Sequence, residues 1–448
     1  MNIKPYLIQF LKYILVFIIL ICIYLITLTL SGLIPSEWMK DNITKSSEVL
    51  YEEGEKKFID LGYKEESIFL FTDALMINTA YSVDSSTPLA SSLLARKNYI
   101  PGQTEEVYID SQYNLGASSQ YINQSNGDLY QTKELYGLMH GENITDSFEY
   151  ARYWHGYLVI LRPLLAIMSY SGIRIVLLTL SIVLIGTLLF LIGKKINIQT
   201  AVFFLIGLLA IHIFYVTQSM NESIVILFGL IASIFILLKK DTKKNIGINF
   251  FVIGSITIFL DLLTEPLITL GLPLIIYLLL MQKQGGSLKE NIIDLFKICI
   301  AWAIGYGLTW LVKWILVSVL YNRPLMQIAF EQARFRSSDS NGNYSLGFVV
   351  ARNFNFMSNA IMQALTLFIL IYAMIKLIIN LKKKINIKEN ILKCIPFILT
   401  ALLPIVWYFA LRQHSVIHAF FTYRILIITL ISLMILPDIL FEREKEKT

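Results

Sequence analysis

The sequence predicts an all-α polytopic membrane protein with about ten transmembrane helices, cytoplasmic termini and a large first extracytoplasmic loop. Of its 448 residues, 56% are hydrophobic and only 16% are charged, whereas soluble proteins are about half apolar and a quarter charged. The apolar residues form runs of roughly 20, the length that crosses a hydrocarbon core. Lysines flank alternate ends of these runs, as membrane orientation signals do. These observations together predict a multi-pass membrane protein.

Ten apolar runs are long enough to be transmembrane spans. Their interiors must be helical, because lipid offers no partner for backbone polar groups. The first run is longer than the apolar core of a signal peptide, so we expect it to remain as a helix. All three cysteines fall inside apolar runs, which predicts no disulfide framework. The predicted spans are residues 11–33, 173–193, 199–217, 222–238, 246–263, 266–282, 298–320, 359–380, 391–411 and 420–440.

Lysine clusters predict the orientation of these spans. They precede the first span and follow the second, fourth, sixth, eighth and tenth. Because cytoplasmic loops carry the excess of basic residues, both termini are predicted to be cytoplasmic. The formal net charge of +6 is thus assigned to membrane orientation, and no nucleic-acid partner is expected. The abundance of Ile, Lys and Asn favours a bacterial source, so the predicted location is the bacterial cytoplasmic membrane.

The chain is predicted to be a single integral-membrane domain, residues 1–448, with two sizeable extracytoplasmic loops at 34–156 and 321–358. The apolar stretch 157–171 is short for a span. Counting it as one would move the next lysine pair to the outer side, so we predict a helix lying at the outer membrane interface.

Two stretches of the first loop have the pattern of amphipathic helices. They are residues 46–63 and 89–97. Together they predict a small helical domain resting on the membrane.

Arginines and histidines concentrate in the predicted outer loops, where positive charge opposes the orientation rule. Arginine binds carboxylate and phosphate through a planar fork that lysine lacks, so we predict a site for a lipid phosphate. The alternative is that these side chains pair with lipid headgroups or with nearby acids. The predicted phosphate ligands are Arg152, His155, Arg162, Lys313, Arg352, Arg412, His414, His418 and Arg424, and further outer arginines are Arg323, Arg334 and Arg336.

Two of these predictions carry specific alternatives. His414 and His418 are four residues apart, a spacing that also suits zinc, but no third ligand lies nearby in the sequence. We therefore assign no metal ligands and favour phosphate binding or proton handling. Lys313 lies within the seventh span, where a lysine usually marks a functional site. Its alternative is a side chain that extends to the interface.

Acids in apolar surroundings are the candidate acid–base residues. Asp73 lies alone in "SIFLFTDALMINTAY", where burial would raise its pKa and suit it to act as a general base. Capping of the helix that follows it is the alternative, and Glu65, Glu66 and Asp84 are competing acids for the role of base. Asp261 and Glu265 lie four apart in the stretch 259–274, which joins the fifth and sixth spans. We expect them to orient a sugar hydroxyl, pair with arginines or bind a divalent cation, or else to cap the next helix.

Aromatic residues adjoin the cations at the start of the interfacial stretch. In "EYARYWHGYLVILRPLL", Tyr153 and Trp154 suit the belt where aromatic rings lie at headgroup level. Arg152, His155 and Arg162 adjoin these rings, so the segment is a candidate site at the outer interface. The alternative is an anchor that only holds the interfacial helix in place.

This layout resembles the GT-C superfamily of integral-membrane glycosyltransferases across the whole chain. Those enzymes have a cytoplasmic N-terminus, many helices and a first outer loop with interfacial helices and an essential acid. The strings "TDALMINTAY", "RYWHGYLVILRPLL", "DLLTEPLITLGLPL" and "HSVIHAFFTYR" are similar to bacterial membrane proteins of surface-polysaccharide loci. One departure is that many members carry an Asp-Asp or Asp-Glu pair early in the loop, whereas Asp73 is single and later.

The resemblance implies sugar transfer from a polyprenyl-phosphate donor to a cell-surface glycan or lipid-linked acceptor. Asp73 would deprotonate the acceptor hydroxyl, and the sugar carbon would invert as the lipid phosphate leaves. The Arg and His side chains would stabilise the departing phosphate. Arg152, His155 and Arg162 would lie along the route of the lipid-linked donor, and Tyr153 and Trp154 would contact a sugar. No cofactor is required, although Asp261 and Glu265 are candidate ligands for a divalent cation.

Two other function classes remain open. One is a transporter or flippase of lipid-linked sugars, although paired repeats and broken helices typical of transporters are not evident. The other is a non-catalytic membrane protein of polysaccharide assembly, with the first outer loop as its binding module.

Overall fold

The computed structural model describes residues 4–59, 65–99, 130–142, 146–337, 344–357, 371–379 and 387–442. The chain begins with a long helix and continues into a mixed segment. Its elements are α1 (Lys4–Gly32), a 3₁₀ turn (Ser36–Met39), α2 (Lys40–Glu53), β1 (Glu55–Ile59), β2 (Glu65–Phe69), α3 (Phe71–Tyr81), α4 (Pro88–Leu94), β3 (Arg96–Tyr99), α5 (Tyr130–Met139), β4 (Asp146–Glu149) and α6 (Leu158–Ile167).

The remainder of the described chain is helical. Its elements are α7 (Tyr170–Lys195), α8 (Ile198–Ala210), α9 (Ile213–Val216), α10 (Met220–Leu238), α11 (Ile246–Leu260), α12 (Ile268–Lys283), α13 (Leu288–Tyr321), α14 (Leu325–Ser337), α15 (Leu346–Met357), a helical segment at 371–379, α16 (Ile387–Ala401), α17 (Leu403–Ala410), α18 (Arg412–Ile417), α19 (Ala419–Thr422), a 3₁₀ turn (Tyr423–Leu426) and α20 (Ile427–Leu440).

Six helical stretches among the described residues are long and apolar enough to cross a membrane, which makes the protein a multi-pass membrane protein. They are Leu7–Gly32, Tyr170–Lys195, Met220–Leu238, Leu288–Tyr321, Ile387–Ala410 and Ala419–Leu440. Three other predicted spans form shorter apolar helices, α8, α11 and α12, of 13, 15 and 16 residues. The predicted span 359–380 is described only over 371–379, so the number ten remains a prediction.

The first loop differs in part from its predicted helices. The helix expected over 46–63 ends at Glu53, because Gly54 turns the chain with φ 52° and β1 follows. The helix expected over 89–97 ends at Leu94, where Ala95 takes the left-handed conformation, and β3 follows. Two antiparallel strand pairs, β1 with β2 and β3 with β4, therefore accompany the helices. Hydrophobic periodicity placed the C-terminal end of both helices too late, because it does not detect a single residue at positive φ that ends a helix.

Helices α11 and α13 form the closest contact in the bundle. A Cβ added to Gly254 would lie 2.1 Å from the carbonyl oxygen of Trp302, so only glycine allows this approach. Hydroxyls cross the same contact, since Ser255 Oγ lies 2.7 Å from Thr309 Oγ1 and 3.0 Å from Tyr24 Oη. This packing fixes the ends of α11 and α13 that approach the first loop. We call this the loop end of the bundle, and the opposite end the lysine end.

The segment that precedes α6 is a buried joint between the first loop and the bundle. Trp154 is fully buried, and its indole N–H donates to the carbonyl oxygen of Thr309 at 2.8 Å. The backbone N–H of Gly156 donates to the carbonyl oxygen of Phe259 at 2.8 Å. A Cβ at Gly156 would lie 2.3 Å from that oxygen. The joint therefore holds the loop against α11 and α13.

The close approach at Gly156 predicts a stability defect in Gly156→Ala. We expect a loss of about 1–3 kcal/mol in the free energy of unfolding, because the new methyl group must displace a backbone carbonyl in a packed interior. Unfolding in mixed detergent micelles measures it. Gly186→Ala is the control, since no atom lies within 4 Å of its added Cβ. Equal stability of the two variants would contradict this packing.

Candidate functional site

Three of the predicted phosphate ligands are engaged in structural contacts. Arg162 is fully buried and donates to the carbonyl oxygen of Ser31 at 2.9 Å, and to those of Ile34 and Ala80. It thereby ties α6 to the ends of α1 and α3. Lys313, also fully buried, donates to the carbonyl oxygen of Leu93 at 2.5 Å. Backbone carbonyl oxygens therefore satisfy the Arg162 and Lys313 side chains, and neither side chain needs a phosphate ligand to explain its burial.

His155 is the third of these structural side chains. It is 1% exposed, with Nε2 at 2.6 Å from the carbonyl oxygen of Tyr150 and Nδ1 at 3.0 Å from Tyr157 Oη. Nε2 therefore donates and Nδ1 accepts, which is the neutral ring. Burial, together with nearby Lys313, lowers the pKa of His155 to about 3. The aromatic and basic residues of this segment mainly build the joint.

Asp73 caps a helix, but not the one predicted from the sequence. It lies in the first turn of α3 and is 1% exposed. One carboxylate oxygen accepts from the backbone N–H of Asn221 at 2.9 Å, and the other accepts from the Tyr170 hydroxyl at 2.5 Å. Asn221 is the second residue of α10, so Asp73 satisfies an N-terminal amide of a membrane helix.

The neighbouring amides of α10 are satisfied by the same arrangement. The Tyr170 hydroxyl accepts from the backbone N–H of Met220 at 3.0 Å, and Ser219 Oγ accepts from that of Glu222 at 3.3 Å. Burial raises the pKa of Asp73, while the hydrogen bonds from Tyr170 and Asn221 lower it. The role of general base remains a prediction for Asp73, whose two oxygens are both occupied by this cap.

A second group of polar residues meets at the loop end, and Arg336 of α14 is its central cation. Arg336 Nη1 lies 2.6 Å from His414 Nδ1, and His414 Nε2 lies 2.9 Å from the carbonyl oxygen of Leu263. Nε2 therefore donates and Nδ1 accepts from the guanidinium, so His414 is neutral. Burial, followed by the positive charge of nearby groups, lowers its pKa well below the usual value. A buried imidazole thus orients a half-exposed arginine.

Three further side chains complete this group. His418 lies beside His414, with ring centroids 4.7 Å apart, and feels the charges of Arg336 and Arg152. Arg152 Nη2 donates to Tyr150 Oη at 3.1 Å, whereas its buried Nε has no hydrogen-bond partner in the described residues. We call Arg152, Arg336, His414, His418 and Asp261 the Arg336 cluster.

Asp261 is the carboxylate of the Arg336 cluster, and it is connected to the cations through Leu263 and through Tyr153 and Tyr306. It ends α11, and its Oδ1 accepts from the backbone N–H and the hydroxyl of Thr264, at 2.8 and 2.7 Å. Its Oδ2 is buried and has no hydrogen-bond partner among the described residues. Burial raises the pKa of Asp261 to about 6, although the hydrogen bonds from Thr264 oppose the shift. A carboxylate with one free oxygen and this pKa suits proton transfer near neutral pH.

The loop that carries Asp261 is held in a strained form. Leu263 has φ 68°, which bulky residues rarely adopt, and its carbonyl oxygen is the acceptor for His414. The hydrogen bonds of Asp261 and His414 stabilise this conformation from both sides. Such strain is frequent at functional sites, and here it couples the carboxylate to the cations.

Tyr153 and Tyr306 are two aromatic residues beside the cluster. Both are buried, and both interact electrostatically with Asp261 and Arg336. Tyr153 stacks on Trp310 with ring centroids 5.8 Å apart, and Tyr306 Oη is buried without a hydrogen-bond partner in the described chain. Trp154, predicted to contact a sugar, is instead enclosed in the joint. Tyr153 and Tyr306 therefore line the cluster.

A separate buried ion group lies behind the strained loop. Arg424 Nη2 lies 2.9 Å from Glu222 Oε2, and both side chains are at most 3% exposed. Glu265 is fully buried, interacts electrostatically with Arg424, Glu222 and Asp261, and has neither oxygen hydrogen-bonded within the described residues. Burial, opposed by Arg424, raises the pKa of Glu265 well above the usual value. We call Glu222, Glu265 and Arg424 the Arg424 group.

The remaining predicted ligands lie on the surface around His414. Arg352 is exposed, and its Nε donates to the carbonyl oxygen of Val416 at 2.9 Å, which supports α18 from α15. Arg412 is half-buried, with its guanidinium 5.5 Å from the Phe409 ring centroid. Both adjoin the segment that carries His414.

The sequence did not single out Arg336 or Glu222 as site residues. Arg336 was one of several outer arginines, and Glu222 lay at the predicted start of a span. Their roles depend on partners 78 and 202 residues away, His414 and Arg424. In the described part of the chain, no group of three or more His, Cys, Asp or Glu side chains is arranged to hold a metal ion. Asp261 and Glu265 as cation ligands therefore remain a prediction.

Comparisons with known proteins add no assignment. No family model, curated protein or solved structure matches this chain.

Proposed function

We propose that the protein is a membrane glycosyltransferase that moves a sugar from a polyprenyl-phosphate donor to an extracytoplasmic glycan or lipid-linked acceptor. The observation that carries the proposal is the Arg336 cluster, in which Asp261 keeps a free carboxylate oxygen two residues from the Leu263 carbonyl that holds His414 and, through it, Arg336. Cations suit a lipid phosphate, and a carboxylate with a pKa of about 6 suits an acceptor hydroxyl. The layout shared with the GT-C superfamily supports the same activity.

The proposed reaction requires one proton transfer and one displacement. The acceptor hydroxyl oxygen attacks the anomeric carbon of the donor sugar while its proton passes to Asp261 Oδ2. The bond from that carbon to the lipid phosphate oxygen breaks, and its electron pair leaves with the phosphate. Arg336, held by His414, and Arg152 stabilise the charge that develops there. Attack opposite to the leaving group inverts the sugar carbon.

Asp261 is preferred over Asp73 as the base in this proposal. Both carboxyls are buried, but the two oxygens of Asp73 cap α10 and bind Tyr170. Proton uptake there would break the hydrogen bonds at the start of a membrane helix. Asp261 keeps one oxygen free while the other stabilises its loop.

A flippase of lipid-linked sugars is the second candidate. The Arg424 group favours it, because buried charges at membrane depth often serve transport. The two candidates differ in the product. A transferase forms a new glycosidic bond, whereas a flippase moves an unchanged lipid between leaflets.

The test is a transfer assay on purified protein in liposomes. A panel of radiolabelled polyprenyl-phosphate sugars is offered with an acceptor extract, and Arg336→Gln is compared with wild type. We expect the variant to lose about 100-fold in transfer rate, because one donor to a developing oxyanion is removed. Arg334→Gln, an exposed arginine of the same helix, is the control and should retain full activity. Movement of labelled lipid between leaflets without sugar transfer would contradict the transferase and support the flippase.

A further inference from the structure

We propose that a cavity at the lysine end of the bundle binds the phosphate headgroup of an anionic membrane lipid. It lies between the end of α10 and the start of α11, at the opposite end of α11 from Asp261. Its volume is about 290 Å³, and it is lined by Lys239, Lys240, Asp241, Lys244, Asn245 and Asn249.

The charges of this lysine cavity favour an anion. Three lysines face one aspartate. Asp241 Oδ1 already accepts from the backbone N–H groups of Lys243 and Lys244, both at 3.1 Å, and shapes the turn. Lys239 Nζ donates to the carbonyl oxygen of Lys244 at 2.6 Å, which holds the two sides of the cavity together. Lys240 and Lys244 are exposed, so their ammonium groups are available to a phosphate.

Two further groups add hydrogen-bond donors to the cavity. Asn245 precedes the 15-residue helix α11 with φ 57°, and its side chain makes no capping hydrogen bond. The N–H of Ile246 bonds to the carbonyl oxygen of Lys243, and the side chain of Asn245 does not compete with an anion for the positive end of the helix. Asn249 Nδ2 is a buried donor without a partner among the described residues, and a buried donor of this kind calls for an acceptor. Ammonium, helix amides and carboxamide all favour phosphate oxygens.

The surroundings favour a lipid over a free phosphate. Phe235 and Leu238, on the last turn of α10, are 47% and 57% exposed. The Lys239 ammonium lies 5.8 Å from the Phe235 ring centroid, so the charged cavity continues directly into an apolar helix surface. A molecule with a phosphate headgroup and acyl chains covers both. Anionic lipids concentrate at the cytoplasmic leaflet, which is the predicted side of these lysines.

Native mass spectrometry of the full-length protein in detergent tests the proposal, with phosphatidylglycerol, phosphatidylcholine and inorganic phosphate as separate probes. We expect retained phosphatidylglycerol, little phosphatidylcholine, and about tenfold weaker phosphatidylglycerol binding in Lys240→Gln/Lys244→Gln, since each lysine contributes modestly to anionic-lipid binding. Lipid binding is measured without sugar transfer, so this proposal and the proposed function can fail independently of each other.

The matched control removes the same charge elsewhere on the predicted cytoplasmic side. Lys289→Gln/Lys388→Gln changes two exposed lysines outside the cavity and should bind phosphatidylglycerol like wild type. Equal losses in both double variants would mean diffuse attraction to a basic surface and would overturn the site. Inorganic phosphate binding as tightly as the lipid would overturn the lipid assignment.

Discussion

Asp261→Asn is expected to lower the sugar-transfer rate by about 100- to 10,000-fold, the range typical of a lost general base. The amide matches the carboxylate in shape, and its oxygen can still accept from Thr264 as Asp261 Oδ1 does at 2.8 and 2.7 Å. The loop should therefore survive while the proton acceptor is lost. The measurement is kcat with donor and acceptor both saturating, beside a donor-binding assay that should remain unchanged.

The pH profile of wild type gives a second readout of the same group. The base acts when deprotonated, and burial raises the pKa of Asp261 to about 6. Transfer should therefore be retained above about pH 6 and fall about tenfold per pH unit well below it. Asp84→Asn, which changes an exposed acid of the first loop, should leave both rate and profile unchanged. If Asp261→Asn kept full activity and Asp73→Asn lost it, Asp73 would be the general base and the assignment of Asp261 would be wrong.

Arg424→Met is expected to cost about 3–5 kcal/mol in the free energy of unfolding, the range for breaking a buried ion pair from one side. It leaves Glu222, which lies 2.9 Å from the guanidinium, and Glu265 buried without their cation. The loss is measured by unfolding in mixed detergent micelles. Arg334→Met, at an exposed position, should change stability by less than about 0.5 kcal/mol.

The double variant Arg424→Met/Glu222→Gln tests the cause of that loss. It also removes the carboxylate with which Arg424 is paired, so it should recover at least about half of the lost stability. Double and single variants of equal stability would show that packing, and not charge, is what Arg424 contributes.

Glu265 should make the free energy of unfolding depend on pH, in a direction that its pKa shift determines. Burial raises the pKa of Glu265 in the folded protein, with Arg424 opposing the shift. The folded state therefore favours the protonated acid, and stability falls as pH rises through the folded pKa. Glu265→Gln should remove this fall in the same unfolding experiment.

The membrane class could be predicted from the sequence because lipid imposes simple rules on it. Runs of about 20 apolar residues predicted helices, and six such helices are present in the described chain. The loop helices were predicted less well, because Gly54 and Ala95 end them by positive φ. Hydrophobic periodicity cannot detect a change of that kind.

The candidate site could be predicted only in part. Asp261 was identified as an acid in apolar surroundings, and His414 and His418 by their spacing of four residues. The structure connects them, since Leu263, two residues from Asp261, is the acceptor for His414. The same reasoning identified Arg162, His155 and Lys313, which bind backbone carbonyls instead. A buried cation has the same sequence context whether its partner is a ligand or a carbonyl oxygen.

The sequence alone determined that this chain is a multi-pass helical membrane protein, since composition and run length suffice for that. Only the tertiary structure decided which polar residue meets which. Asp73 accepts from the backbone N–H of Asn221, and Trp154 donates to the carbonyl oxygen of Thr309. Arg336 donates to the imidazole of His414. Each partner is supplied by a different part of the chain, 78 to 155 residues away. Local sequence does not predict such pairs, because they form only when the helices pack together.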